Sequence, residues 1–235
     1  MAIRAGDGTD EFTGTTSLTI TAPSLVLDNA SGSGFKVDMD TPVYPWRDLE
    51  GLIYPDPANP AAAPTVALFR TGLYAYSYTD GDQCHFSFHM PHDWAPGTDL
   101  FLHVHWAHNA TGVAANTLTW AFVMSFAKGF AQEVFSVPIT PSITYAMVNL
   151  TTTPQYQHKI TEIQLSAASP TAAQFDTDNL EVDGMFIGTM TMGVPAGSFS
   201  GGTPDEAIYI FTIDLHYQST GIGTKQKSPN PTFYS

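Results

Sequence analysis

The chain has 235 residues, 43% of them hydrophobic and only 13% charged, and its 8 Lys+Arg against 22 Asp+Glu give a formal net charge of -14. That field repels phosphate backbones and anionic bilayers, so neither direct nucleic-acid binding nor membrane-surface binding is expected. A single cysteine, Cys84, excludes an intrachain disulfide framework and a cysteine-rich zinc site, and the lack of an apolar leader in "MAIRAGDGTDEF" or of any run near about 20 apolar residues points to a soluble product made in the cytoplasm.

Thr, Ser, Gly, Pro and aromatic residues take the place of the missing charge, which is a strand and turn composition. Residues 16–37 hold three short alternations, Leu18/Ile20, Leu25/Leu27 and Phe35/Val37, broken by Ala22-Pro23 and by glycines. Too short for a core of their own, they predict an extended N-terminal β arm over residues 1–40 that pairs with a neighbour. Residues 41–65 read as a proline-rich connection with one turn near Trp46 to Leu49, kept out of a central sheet because proline has no ladder donor. Its Val43, Tyr44, Trp46, Leu49, Leu52, Ile53 and Tyr54 are more apolar than a disordered linker carries, so it is expected to lie as an interaction segment on its own domain, a sister subunit or a capsid.

Residues 66–235 form the main domain. "GLYAYSYTDGDQCHFSFHM" predicts a hairpin about Asp80-Gly81-Asp82, with Tyr74, Tyr76 and Tyr78 on one arm and Cys84, Phe86, Phe88 and Met90 on the other. Strands follow over 100–107 and in "TLTWAFVMSF", where Leu118, Trp120, Phe122, Met124 and Phe126 are in phase. Others are expected at "QEVFSVPI", "ITYAMVNL", "HKITEIQL", "GMFIGTMTM" and "AIYIFTIDLHYQ". The absence of a long 3.6-period segment argues against α/β folds. The expected fold is all-β, an antiparallel β-sandwich of jelly-roll type, with Phe86, Phe88, Leu102, Val104, Trp106, Trp120, Phe122, Ile213 and Leu215 in its core.

"DLFLHVHWAHN" carries the densest chemistry. In a strand Leu100, Leu102, Val104 and Trp106 take one face, and Phe101, His103 and His105 the other. His103 and His105 then stand roughly 7 Å apart by the ~3.3 Å rise per residue, within reach of one metal. The last strand offers Asp214 and His216 in phase, so His103, His105, Asp214 and His216 are the candidate ligands of a divalent ion such as zinc or iron. Gly97 followed by His103 and His105 also resembles the first cupin motif. Two ligands of that motif set are missing: positions 109 and 110 are Asn and Ala, and "PAGSFS" puts Ser200 in the place of a histidine. The preferred reading has no cofactor, with the histidines on a partly exposed face or at a subunit boundary. No G-x-S-x-G, P-loop or H-E-x-x-H occurs, and Cys84 shares a face with Phe86 and Phe88 as an inert buried thiol does. No residue is assigned a catalytic role. Asp176/Asp178 and Glu181/Asp183 read as solvated loop acids rather than acid and base or calcium ligands.

"PWRDLEG" (45–51), "FHMPHDWAPGTDLFLHVHWAHN" (88–109), "WAFVMSFAKGF" (120–130) and "IFTIDLHYQSTGIGTKQKSPNP" (210–231) together resemble a group of tailed-phage virion structural proteins that share a W-R-D-L turn, an H-x-H-W strand and a terminal D-x-H-Y strand. The resemblance implies a non-enzymatic bacteriophage virion protein of no particular virion part, and a capsid decoration or cement protein on the head is the reading preferred here. A fibre or tail component with a receptor- or glycan-binding β head is the alternative. A cupin-like metalloenzyme using His103, His105 and His216 is the alternative from another class. The expected partners are copies of itself in a homo-oligomer, a homotrimer being favoured because residues 1–65 are too apolar for a free arm, and the major capsid protein or another virion protein, with the chain located in the virion.

Overall fold

A computed structural model describes residues 44–55, 59–200 and 208–221, all within the compact unit Pro42–Ser235. The expected arm over 1–40 and Val43 lie outside the described residues. The strands of the described residues are β1 (Trp46–Pro55), β2 (Thr65–Arg70), β3 (Leu73–Tyr78), β4 (Gln83–His89), β5 (Phe101–His108), β6 (Gly112–Val113), β7 (Asn116–Ala127), β8 (Ser142–Met147), β9 (Lys159–Gln164), β10 (Ser166–Ala167), β11 (Phe175–Asp176), β12 (Met185–Gly193), β13 (Phe199–Ser200) and β14 (Ile208–Gln218). Helix is confined there to two short 3-10 turns, and no helix among the described residues is long and apolar enough to cross a membrane.

The long strands form two antiparallel layers. In the first, β14 is the axis: β5 and then β9 lie on one side of it, and on the other β3 meets its first residues and β1 its last, with β2 beyond β3. The second runs β1, β4, β12, β7, β8. Strand β1 belongs to both, because Trp46–Gly51 pair with β14 and Leu52–Pro55 with β4. The change of layer falls at Gly51, where a Cβ would stand 2.4 Å from the Phe88 ring and 3.1 Å from the Ile213 carbonyl oxygen. Only a residue without a side chain lets the strand turn this corner against a buried ring.

Between the layers lies an aromatic core. Trp106 of β5 meets Trp120 of β7 at 5.4 Å and Tyr145 of β8 at 4.9 Å between ring centroids. Phe86, Phe88, Leu102, Val104, Trp106, Trp120, Phe122, Ile213 and Leu215 are all buried. The alternation of apolar residues therefore assigned their faces correctly, and the sandwich of jelly-roll type is the observed fold. Apart from the β2–β3 and β7–β8 hairpins, successive long strands mostly cross from one layer to the other.

Three local expectations are corrected. Residues 41–65 are not one irregular connection, since Trp46–Pro55 is a ten-residue strand joining both layers. Pro45 and Pro55 bracket a window free of proline, so the missing donors fall at or beyond its ends. Among the described residues the sandwich accordingly includes Trp46–Pro55, ahead of the expected start at 66, and no turn occupies Trp46 to Leu49. The segment Asp80-Gly81-Asp82 is not a hairpin: β3 pairs with β2 and β14, and β4 with β1 and β12. It is a corner between layers, in which Asp82 accepts from the Thr79 amide at 2.6 Å and Gly81 donates to the Met192 carbonyl at 2.8 Å. The hairpin lies one strand earlier, at Thr71-Gly72, where Gly72 has φ +75°. Lastly, "QEVFSVPI" is not a regular strand. Phe130 and Ala131 enter the left-handed region at φ 55° and 58°, Pro138 removes a donor, and only Ile139 bridges to Met124. Val134 and Val137 are almost fully exposed as a result.

Candidate functional site

The outer face of the first layer collects the imidazoles. Because β5 runs between β14 and β9, His103 has Asp214 as its direct neighbour on one side and Glu162 on the other. His216, two residues after Asp214, stands opposite Asp48 of β1. All four residues expected as metal ligands thus share one face. Strand pairing adds Glu162, Asp48 and the nearby His158, which the sequence alone did not single out.

His103 Nε2 donates to Glu162 Oε2 at 2.8 Å, and its Nδ1 lies 3.2 Å from Asp214 Oδ1. His105 turns Nε2 onto Asp214 Oδ2 and shares a hydrogen bond of 2.8 Å between its Nδ1 and His158 Nε2. His216 Nδ1 donates to Asp48 Oδ1 at 2.5 Å, and its ring is stacked between Trp46 at 4.7 Å and His103 at 4.6 Å. Asp214 and His103 are buried, whereas His105 and His216 are half-buried. Asp214 beside it, aided by Glu162, raises the proton affinity of His103 above that of an ordinary imidazole, although partial burial acts the other way.

Segments from "PWRDLEG", "PHDW" and "IFTIDLHYQS" meet beside this face. Asp93, from "PHDW", accepts from Tyr217 Oη at 3.1 Å and from Ser219 Oγ at 2.6 Å and pairs with Arg47 at 3.2 Å. One carboxylate therefore ties the W-R-D-L segment to the end of the D-x-H-Y strand. Burial, and then the neighbouring Asp93, pushes the Tyr217 hydroxyl up to about 12.

The other candidates have structural roles. Asp176 caps a 3-10 turn by accepting from the Asp178 amide at 3.0 Å. Asp183, at φ 60°, holds His92 at 2.8 Å and His89 at 3.3 Å. Cys84 is fully buried, and burial pushes its thiol up to about 11, so it is a poor nucleophile. Of the interaction residues, Trp46, Leu52 and Tyr54 are exposed, while Tyr44, Leu49 and Ile53 are half-buried. On the outer face of the second layer, Tyr54, His85, Ser87, Val123, Ile187 and Thr189 line a groove of about 420 Å³.

His108, at the end of β5, is a buried neutral imidazole. Its Nε2 donates to the Thr153 carbonyl at 2.8 Å while Nδ1 is buried without a hydrogen bond. Burial lowers its pKa, so below the unfolded value of about 6.5 the unfolded chain binds the extra proton first and stability falls. His108→Gln keeps a donor and does not titrate. The stability gap between wild type and this variant, measured by urea unfolding, should narrow as pH drops through that value. A gap independent of pH would show that His108 is not held neutral.

No protein-family model matches the chain, and no curated protein matches it. Among solved structures, the family 11 carbohydrate-binding module from Clostridium thermocellum, in complex with a β-1,3-1,4-mixed-linked tetrasaccharide, is 17% identical over 76% of this chain and 92% of that one, with a TM-score of 0.28. TmCBM61 with β-1,4-galactotriose is 11% identical over 73% and 87%, at 0.25. A non-crystalline cellulose specific module, CBM28, is 11% identical over 67% and 80%, at 0.29. At such scores these likenesses carry no argument about ligand or role.

Proposed function

We propose that this chain is a non-enzymatic structural protein of a tailed-phage particle, a capsid decoration or cement protein that assembles as a homotrimer and meets other virion subunits through its outer surfaces. The observation that carries this reading is the β2–β3 hairpin at the rim of the first layer. Val66, Leu68, Leu73 and Tyr74 on it are between 49 and 68% exposed. Strand β2, "TVALFR", has β3 as its only strand neighbour among the described residues. An apolar edge strand of this kind is a template for pairing with another chain unless something covers it. The sequence resemblance over residues 45–235 and the low share of charged residues, 13%, favour the same reading. Val66→Lys combined with Leu68→Lys removes the apolar edge without touching the core. Light scattering should show a lower mass for this variant, and purified particles should no longer retain it. An unchanged mass and unchanged attachment would overturn the proposal.

A glycan-binding β head of a fibre is the second reading, favoured by the groove beside Tyr54, which combines an exposed aromatic ring with the His85 imidazole and the Ser87 and Thr189 hydroxyls. Glycan-array binding that disappears in Tyr54→Ala would establish it, and an empty array would dismiss it.

A further inference from the structure

We infer that His103, His105 and Asp214 form the binding site of one divalent transition-metal ion, held by His103 Nδ1, His105 Nε2 and the Asp214 carboxylate on the outer face of β5 and β14. One ligand atom from each of the three residues falls within 4.8 Å of the other two, which is the spacing of donors around a single small cation. The three come from a rigid framework: His103 and His105 are in phase on one strand, and Asp214 is the direct neighbour of His103 on the next.

Two further observations point to a ligand rather than to a plain cluster of ion pairs. The first is unmet hydrogen-bonding capacity at the centre. The Asp214 side chain is only 6% exposed and its two oxygens are ion-paired with His103 Nδ1 and His105 Nε2, yet neither Oδ1 nor the buried His105 Nε2 makes a hydrogen bond of ordinary geometry. Buried polar atoms turned on one another without hydrogen bonds are costly unless something else satisfies them. The second is the outer partner of each imidazole. His103 presents Nδ1 to the centre while its far nitrogen donates to Glu162, and His105 presents Nε2 to the centre while its far nitrogen bonds His158. Metal-bound histidines have this arrangement, in which an acceptor behind the ring orients it and directs the free lone pair forward.

A competing triad, Asp48, His103 and His216, also lies within 4.8 Å. There, however, the His216 proton is already given to Asp48, whose side chain is 61% exposed. The His216 ring also lies face to face with His103, with 26° between planes, so its in-plane lone pairs do not converge with those of His103. The rings of His103 and His105 are instead splayed by 56° with centroids 6.0 Å apart. Two imidazoles and one carboxylate suit zinc or iron and leave at least one position for water, the composition of an open rather than a closed site.

The test uses the full chain without a histidine tag, stripped with chelator and titrated calorimetrically with Zn²⁺. Co²⁺ serves as a spectroscopic replacement whose visible bands report low-coordinate N/O ligation. Wild type should take up one ion per chain, and Asp214→Asn and His105→Ala should abolish uptake. Because both replaced residues are at least partly buried, Glu162→Gln provides a surface variant that should fold normally and bind about 10–100-fold more weakly. Asp48→Asn and His216→Ala should bind as wild type does. Wild-type uptake no tighter than that of Asp214→Asn, affinity unchanged in Glu162→Gln, or loss in Asp48→Asn equal to that in Asp214→Asn would each overturn the assignment.

Discussion

Trp106→Ala should lower the free energy of unfolding by about 3–5 kcal/mol, the range for truncating a fully buried large aromatic side chain. Trp106 has no exposed surface, packs on Trp120 and Tyr145 from the opposite layer, and donates its indole N–H to Thr161 Oγ1 at 2.9 Å. The substitution removes three things together: the apolar surface that joins the layers, the ring contacts across them, and a buried hydrogen bond worth about 0.5–1.5 kcal/mol. The framework around it is paired strand on both sides of β5, which leaves little freedom to collapse into the cavity. Urea unfolding followed by far-ultraviolet circular dichroism measures the loss. A change within about 0.5 kcal/mol, as at ordinary surface positions, would mean that the faces of β5 are inverted.

Gly51→Ala is the second large effect, of the opposite physical kind. It adds one methyl group where β1 leaves one layer for the other, and that carbon would fall 2.4 Å from the Phe88 ring and 3.1 Å from the backbone oxygen of Ile213. The backbone cannot yield without breaking the pairing of Gly51 with Ile213, so Phe88 must move within a close-packed core. The expected cost is about 1–3 kcal/mol. Phe88→Leu shortens the obstructing ring, so the double variant should lose less than the sum of the two single losses, as neighbours sharing one clash do. Strict additivity in chemical unfolding would show that the crowding is not between these two residues.

The parts of this molecule legible in its sequence are those governed by a period of two. Leu102, Val104 and Trp106 against His103 and His105 could be read from β5 alone, and Asp214 with His216 from β14 alone, because alternation needs no knowledge of a partner strand. The register that sets Glu162 and Asp214 on either side of His103, or Asp48 against His216, joins residues far apart in the chain. Single-sequence reading had no access to it, and so Glu162, Asp48 and His158, three of the seven members of the imidazole–carboxylate face, were missed. Turn chemistry misled for a related reason. Asp80-Gly81-Asp82 has the residues of a tight hairpin, but the same residues suit a corner, and what decides between them is whether β4 finds β3 or β12. The prolines around β1 misled by composition, since counting them over residues 41–65 hid the uninterrupted window between Pro45 and Pro55. The metal inference rests on that long-range register, whereas the virion proposal rests on surface exposure and resemblance, so one can fail without the other.

The proposal that this chain sits on a phage particle among copies of itself draws its support from the exposed β2–β3 edge and the sequence resemblance. A density map of the intact particle, with this sandwich fitted at side-chain resolution, tests that placement most directly. The chain should be found in a threefold cluster on the head, with Val66, Leu68 and Tyr74 buried against a neighbouring subunit. Its absence from particles that contain every other structural protein, or its presence as an isolated monomer with the hairpin facing solvent, would contradict the proposal.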